Sequence, residues 1–430
     1  MNNTIRYVLA GVLIFLIILL QPIYLKWLGY DVVGRDAPDQ ILQTSSPVEE
    51  EKHSFSPFFE DNTVVNTRAK ESFITISTPL YTATLTNKSG GSFINYTLNE
   101  ENSGKLKYLG GYDEGGVFRA DLPVSIIMPS KEGCMPCLAY YDDRNDEYHF
   151  INQLFTLLNF SPNTDTVYLD FSDSVELKYA LLNSDGKTLI EKSVVFSADQ
   201  FINKHFFEIN DDNFDYSSNL EILWYGGLRP TEEKEDEDVQ YGSGIISQAG
   251  EIEDIQTKNQ DEIISREVFK GNTDWVGIRT KYFMSALIAE SMGEYAVLSA
   301  ENVSFGERVQ TPLYSAGIGY PLDIISISSN IYLGPLDVDH IAKAGTDLDA
   351  AMNWGFSLIR PISKGVLWVL KFIHKTFHLN YGFVLLFFAV LIRLITGPLT
   401  KKSYESSQNM QKIQPEIKKY RQNIKGIHSV

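Results

Sequence analysis

Cysteine is almost missing. Two occur in 430 residues, Cys134 and Cys137 in EGCMPCLAY, which excludes a disulfide-knitted scaffold. A C-x-x-C pair leaves three readings: a local disulfide or two inert thiols, a redox pair, or half a zinc site. Zinc needs two more ligands, and no His or Cys cluster follows. A thioredoxin-like site needs a helix starting at the first cysteine, whereas LAYYDDRND reads as strand then turn. Histidine is scarce as well, seven scattered residues. There is no G-x-S-x-G elbow, no H-E-x-x-H pair, no phosphate loop and no internal repeat. Nothing asks for an enzyme, a cofactor or a resident metal.

Long apolar runs are also few. The first, YVLAGVLIFLIILLQPIYL, spans Tyr7–Leu25. Its unbroken part, Tyr7–Leu20, has the length of a signal-peptide core. No small-x-small cleavage site follows, and the apolar character continues past Pro22 to about the length that crosses a bilayer. The reading is an uncleaved signal anchor over 1–26. The second run is Tyr381–Thr400, YGFVLLFFAVLIRLITGPLT, roughly 30 Å as a helix. Its twelve Leu, Ile, Phe and Val residues offer about -4 to -7 kcal/mol of insertion free energy. Arg393, inside the run, costs about +2.5 to +3.5 kcal/mol. The helix therefore inserts despite its arginine. One reading of Arg393 is snorkelling, since Lys401 lies roughly 12 Å further along the axis; the other is function.

Charge is unevenly spread. The net charge is -18, yet residues 353–400 contain no acid and carry +5, residues 401–430 carry +5, and residues 1–26 carry +2. The stretch 27–352 then holds -30. An acidic body does not suit nucleic acid. The basic end suits a cytoplasmic membrane face, so the positive-inside rule puts both termini in the cytoplasm and the body outside it.

Between the runs, residues 27–70 read as a flexible acidic linker. Residues 71–345 change texture. SFITIST, YTATLTN, GSFINYTL, DTVYLDFS, SVELKYALL, TLIEKSVVFS, NKHFFEI and NLEILWYGG are short β-rich segments separated by Gly, Asn, Asp and Ser, which predicts a large antiparallel β-sandwich. The run TEEKEDEDVQ, Thr231–Gln240, lacks the spacing and glycine of a calcium loop and reads as a solvated acidic loop. Residues 353–379 have a helical period. Arg360, Lys364, Lys371, Lys375 and His378 gather on one side, and Ile359, Ile362, Val366, Val369, Leu370, Ile373 and Phe377 on the other. With Trp368, this suits a helix lying in the bilayer interface; the alternative is an amphipathic helix packed on the soluble domain.

Four stretches carry a family resemblance: DWVGIRTKYFMSALIAE (274–290), IYLGPLD (331–337), GFSLIRPISKGVLWVLKFIH (355–374) and NYGFVLLFFAVLIRLITGPLTKKSYESSQNMQKIQPEIKKY (380–420). The chain resembles the YidC family of membrane-protein insertases. The resemblance implies a periplasmic β-supersandwich, an interfacial helix, a second transmembrane helix over 381–400 and the first arm of a cytoplasmic hairpin over 401–430. It implies a multi-pass protein of the bacterial inner membrane that inserts and chaperones nascent membrane proteins, alone or beside the Sec translocon, without cofactor. It makes Arg393 the arginine of a hydrophilic groove. It also makes Lys412, Lys418, Lys419 and Arg421 a partner-binding face, for the ribosome or signal recognition machinery. Family members continue into further transmembrane helices, so this chain is expected to be an incomplete form. Two other functions fit the same residues: a membrane-tethered periplasmic module binding carbohydrate or protein, and a translocon accessory subunit without insertase activity.

Overall fold

The computed structural model describes residues 70–427 apart from 114, 129–131, 143–144, 162–164, 211–218, 260–261, 306–308, 322–323, 353 and 355–358. The anchor expected over 1–26 and the linker expected over 27–70, save Lys70, lie outside the described residues.

Two main sheets build the β domain, beside two small two-stranded ones. The smaller main sheet holds, in spatial order, Thr166–Tyr168, Phe73–Ser77, Tyr81–Thr86 and Ser92–Leu98. It departs from a wholly antiparallel fold, because Thr166–Tyr168 runs parallel to Phe73–Ser77. The larger sheet has 13 strands. Its frame is Phe283–Phe305, 23 residues long. Residues 283–289 pair with Ser326–Pro335, residues 295–305 pair with Val309–Gly319, and Ile264–Arg279 lies along the other edge. Alternation explains individual strands. In Ile202–Ile209, His205, Phe207 and Ile209 are buried while Lys204, Phe206 and Glu208 face outward, the two-residue period of a sheet with one covered face. The two main sheets share one core. Phe93 of the small sheet sits edge-on to Phe196 at 6.0 Å and lies 6.1 Å from Trp224 of the large one.

The stretch IYLGPLD ends a strand, Ser326–Pro335. Gly334 is there for space: a Cβ would lie 2.7 Å from the Phe201 ring. Asp337 then accepts from the Asp339 amide at 3.0 Å and starts a short helix, Val338–Ile341.

Helices are labelled α1, Glu235–Tyr241; α2, Val338–Ile341; α3, Arg360–Phe377; and α4, Tyr381–Ile427. Three of these revise the sequence reading. The acidic run 231–240 is not a solvated loop: much of it forms α1. Lys281 gathers Glu232 at 3.3 Å and Glu237 at 2.6 Å, which offsets like-charge repulsion and lets the run fold back. The amphipathic helix starts at Arg360, not residue 353, with Pro361 in its first turn, where a missing N–H is harmless. The helices expected over 381–400 and 401–430 are one continuous element. Pro398 and Pro415 lie inside it; each removes one backbone donor without ending the helix. The apolar-to-basic boundary is a change of side chains, not of backbone.

Candidate functional site

α4 starts where Asn380 Oδ1 accepts from the Gly382 amide at 2.9 Å, satisfying one of the free N–H groups of a helix start. From there Phe383, Leu385, Leu386, Phe387, Val390, Leu394 and Ile395 are all exposed. α4 is the one described helix long and apolar enough to cross a membrane. With 47 residues it is roughly 70 Å long, more than twice the hydrocarbon thickness. Arg393 is exposed too, and no ion pair reaches it among the described residues. At helical spacing its neighbours are Ala389, Val390, Thr396 and Gly397, three of them small or polar in an otherwise bulky segment. Thr396 and Thr400 donate their hydroxyls back to the carbonyls of Ile392 and Thr396, at 2.8 and 2.9 Å. Lys412, Lys418, Lys419 and Arg421 lie on the distal half of α4, where the backbone is helical; their side chains are outside the described set.

α3 leads into α4 through a packed joint. His378 closes α3 in the left-handed conformation, φ 51°. His374 Nδ1 meets the Leu379 carbonyl at 2.7 Å, and its ring stacks on Tyr381 at 4.4 Å. Phe377 contacts Phe387 at 5.8 Å, and Ile373 and Val384 are both buried.

The basic side of α3 has an unforeseen role. Arg360 reaches Asp349 at 3.3 Å, Lys364 pairs with the same carboxylate, and Lys371 reaches Asp339 at 2.8 Å. Three of the five residues placed on the basic side thus dock on the end of the β domain, while Lys375 and His378 are exposed. The Lys371 hydrogen bond lowers the Asp339 pKa; burial works against Asp349, but Lys364 and Arg360 lower it on balance. Facing outward are Ile362, Trp368 and Phe372, the last two stacked at 5.6 Å. The polar contacts are those of a helix packed on the domain, and they leave an apolar arc bare. No periodicity marks Asp339 and Asp349 as partners; two acids shortly upstream of a basic helix are the only hint.

Cys134 and Cys137 form a disulfide. In a regular strand residues three apart face opposite ways. Here Cys137 opposes Leu223 and Cys134 opposes Tyr225, so three steps face two. This one-residue bulge turns both sulfurs to one side. Both cysteines are fully buried, away from α3 and α4. Behind the bulge lies Lys192, buried, donating to Pro136 O at 3.1 Å and Ser89 O at 3.0 Å. Among the described residues no three His, Cys, Asp or Glu side chains converge as metal ligands would.

Two family descriptions match the chain: YidC periplasmic domain over residues 153–369 and 60Kd inner membrane protein over residues 372–428. The boundary between them falls inside α3. Among similar curated proteins are three named membrane protein insertase YidC. That of Prosthecochloris aestuarii is 26% identical over 309 residues, covering 66% of this chain and 53% of its own. That of Chlorobaculum tepidum is 23% identical, covering 83% and 57%. That of Geobacter metallireducens is 32% identical, covering 35% and 28%. The chain spans about half the length of the first of these relatives.

Proposed function

Because the chain belongs to the YidC family of membrane protein insertases, we propose that it inserts and chaperones integral membrane proteins in the bacterial inner membrane, with Arg393 as the polar anchor of the path they take. The observation that carries this is the exposed guanidinium of Arg393 within the apolar length of α4, beside Ala389, Thr396 and Gly397. A guanidinium does not lose its proton, so in a bilayer it draws water or an acidic partner to itself. Forming one wall of a hydrophilic groove, it attracts the acidic, short extracytoplasmic segment of an incoming chain and lowers the barrier to that segment's passage. The basic distal half of α4, with Lys412, Lys418, Lys419 and Arg421, faces the cytoplasm and meets the ribosome or signal recognition machinery; the β domain lies in the periplasm, beside the Sec translocon when the two act together.

Nascent-chain photo-crosslinking tests this. A photoreactive residue at Ala389 in membrane vesicles is expected to capture a short hydrophobic nascent chain. Capture falls sharply in Arg393→Ala and is largely retained in Arg393→Lys. Equal capture with Ala at position 393, at equal protein level, overturns the role given to the arginine.

A further inference from the structure

The β domain and α3 enclose a cavity of about 650 Å³, within the range of small-ligand sites. Its walls are mostly apolar: Val124, Phe283 and Leu336 from the domain, Met352 from the connecting segment, and Leu367 from α3. Leu109 and Tyr282 also line it, and both are about half exposed, at 51% and 52%. Single exposed apolar residues are ordinary; two at the mouth of one apolar cavity are a route in.

Two observations identify the occupant. The first is position. α3, which closes the cavity, joins α4 after three residues, 378–380. Leu367 stands roughly 20 Å along α3 from the start of α4. At roughly 100° per residue Leu367 lies about 140° round the helix from Ile362 and Phe372 and about 100° from Trp368. With that arc in the interface, the side carrying Leu367 lies about one helix diameter further out, at the outer edge of the headgroup layer. The second is charge. The cations at the rim already have partners: Lys107 bonds Glu100 at 3.1 Å and Asp337 at 3.3 Å, and Lys371 bonds Asp339. Glu232 is held by Lys281. The carboxylate of Glu233, which also lines the cavity, is exposed and in no ion pair among the described residues. The mouth therefore offers negative charge to a newcomer.

We propose that this cavity takes an acyl chain of a bilayer phospholipid whose headgroup carries an ammonium, such as phosphatidylethanolamine, with Glu233 at the headgroup. The apolar walls hold the chain and the acidic mouth selects against a purely anionic head. An apolar peptide with a basic flank is the competing occupant; the bilayer surface presents lipid at far higher local concentration.

The inference rests on α4 crossing the bilayer and is independent of insertase activity. The full chain is reconstituted in vesicles containing phosphatidylethanolamine with a diazirine near the end of one acyl chain, irradiated, and its peptides mapped by mass spectrometry. Label on Phe383–Ile395 reports the spanning helix. Label on the peptides bearing Phe283 and Leu336 is expected as well. It falls several-fold in Leu367→Trp, which fills the cavity, and when the probe is a phosphatidylglycerol; Glu233→Lys reverses the headgroup preference. Leu109→Trp, at an exposed position, gives the same loss should Leu367→Trp fail to accumulate. Label on α4 without label in the cavity, undiminished label in both Trp variants, or labelling there by a basic apolar peptide probe instead of lipid overturns the lipid site. Label on neither overturns the spanning helix as well.

Discussion

Two buried ionisable residues give the β domain opposite responses to pH. Asp238 of α1 is buried, and no side-chain donor among the described residues reaches its carboxylate. Burial, aided by the charges of Glu232 and Glu237 and opposed by the Thr231 backbone and by Lys281, pushes its pKa up to about 7. Between about pH 4 and 7 the folded protein holds a proton that the unfolded chain has released, so stability falls as pH rises through that window. Lys192 is the converse. Burial pulls its pKa down to about 7, beside the equally buried His205. Between about pH 7 and 10 the unfolded chain holds the extra proton, and stability rises with pH. Each group contributes a slope of at most about 1.4 kcal/mol per pH unit; His205, kept neutral by burial, opposes the Asp238 fall below about pH 6.5, so the minimum near neutrality is shallow on its acid side. Thermal unfolding of the full chain in detergent, followed by tryptophan fluorescence at pH 5, 7 and 9, is expected to show it. Asp238→Asn removes the fall on the acid side. Lys192→Met removes the rise on the alkaline side, although it lowers stability overall by leaving Pro136 O and Ser89 O without their donor. Variant profiles parallel to the parent's overturn the assignment.

The decisive element is α3, tied to the domain by charge and to α4 by packing. Each ion pair is partly solvated and contributes about 1 kcal/mol or less, but Asp349 serves two of them. Asp349→Asn is expected to free the first turns of α3, seen as faster amide exchange over residues 360–367, with little change at the buried joint around Ile373. High salt mimics the variant, since these pairs are screened. Exchange that stays slow in both conditions shows that packing alone holds the helix. This element also marks what the sequence disclosed. Ser174–Leu182 and Thr188–Ser197 were legible to the residue because each alternates and is bounded by turn residues. Arg393 was legible because a charge stands out in an apolar run. Phe283–Phe305 was not: its pairing register shifts, it changes partner midway and it carries Gly293 and polar residues that blur any period. The same-side cysteines depend on a bulge set by the opposing strand, and the partners of α3 are loop acids. Tertiary pairing decides all three, and a local pattern does not contain it.

At the scale of the whole molecule, charge and hydropathy make a single statement about orientation. The described body is acidic, α3 turns an apolar arc outward, α4 is bare and apolar for its first half, and its second half begins with Lys401 and Lys402. For a chain so divided the positive-inside rule predicts the body on the translocated side and the basic half of α4 retained inside. Both native cysteines are buried in a disulfide, so single engineered cysteines can report each side. Phe171 and Tyr404 are both 65% exposed, one on the body and one a single turn past the apolar run. A membrane-impermeant maleimide added to intact spheroplasts is expected to label Phe171→Cys at once and Tyr404→Cys only after lysis. Labelling of both positions in intact cells places α4 outside the bilayer. The reverse order inverts the protein and moves Arg393 to the half of the membrane that incoming chains reach last.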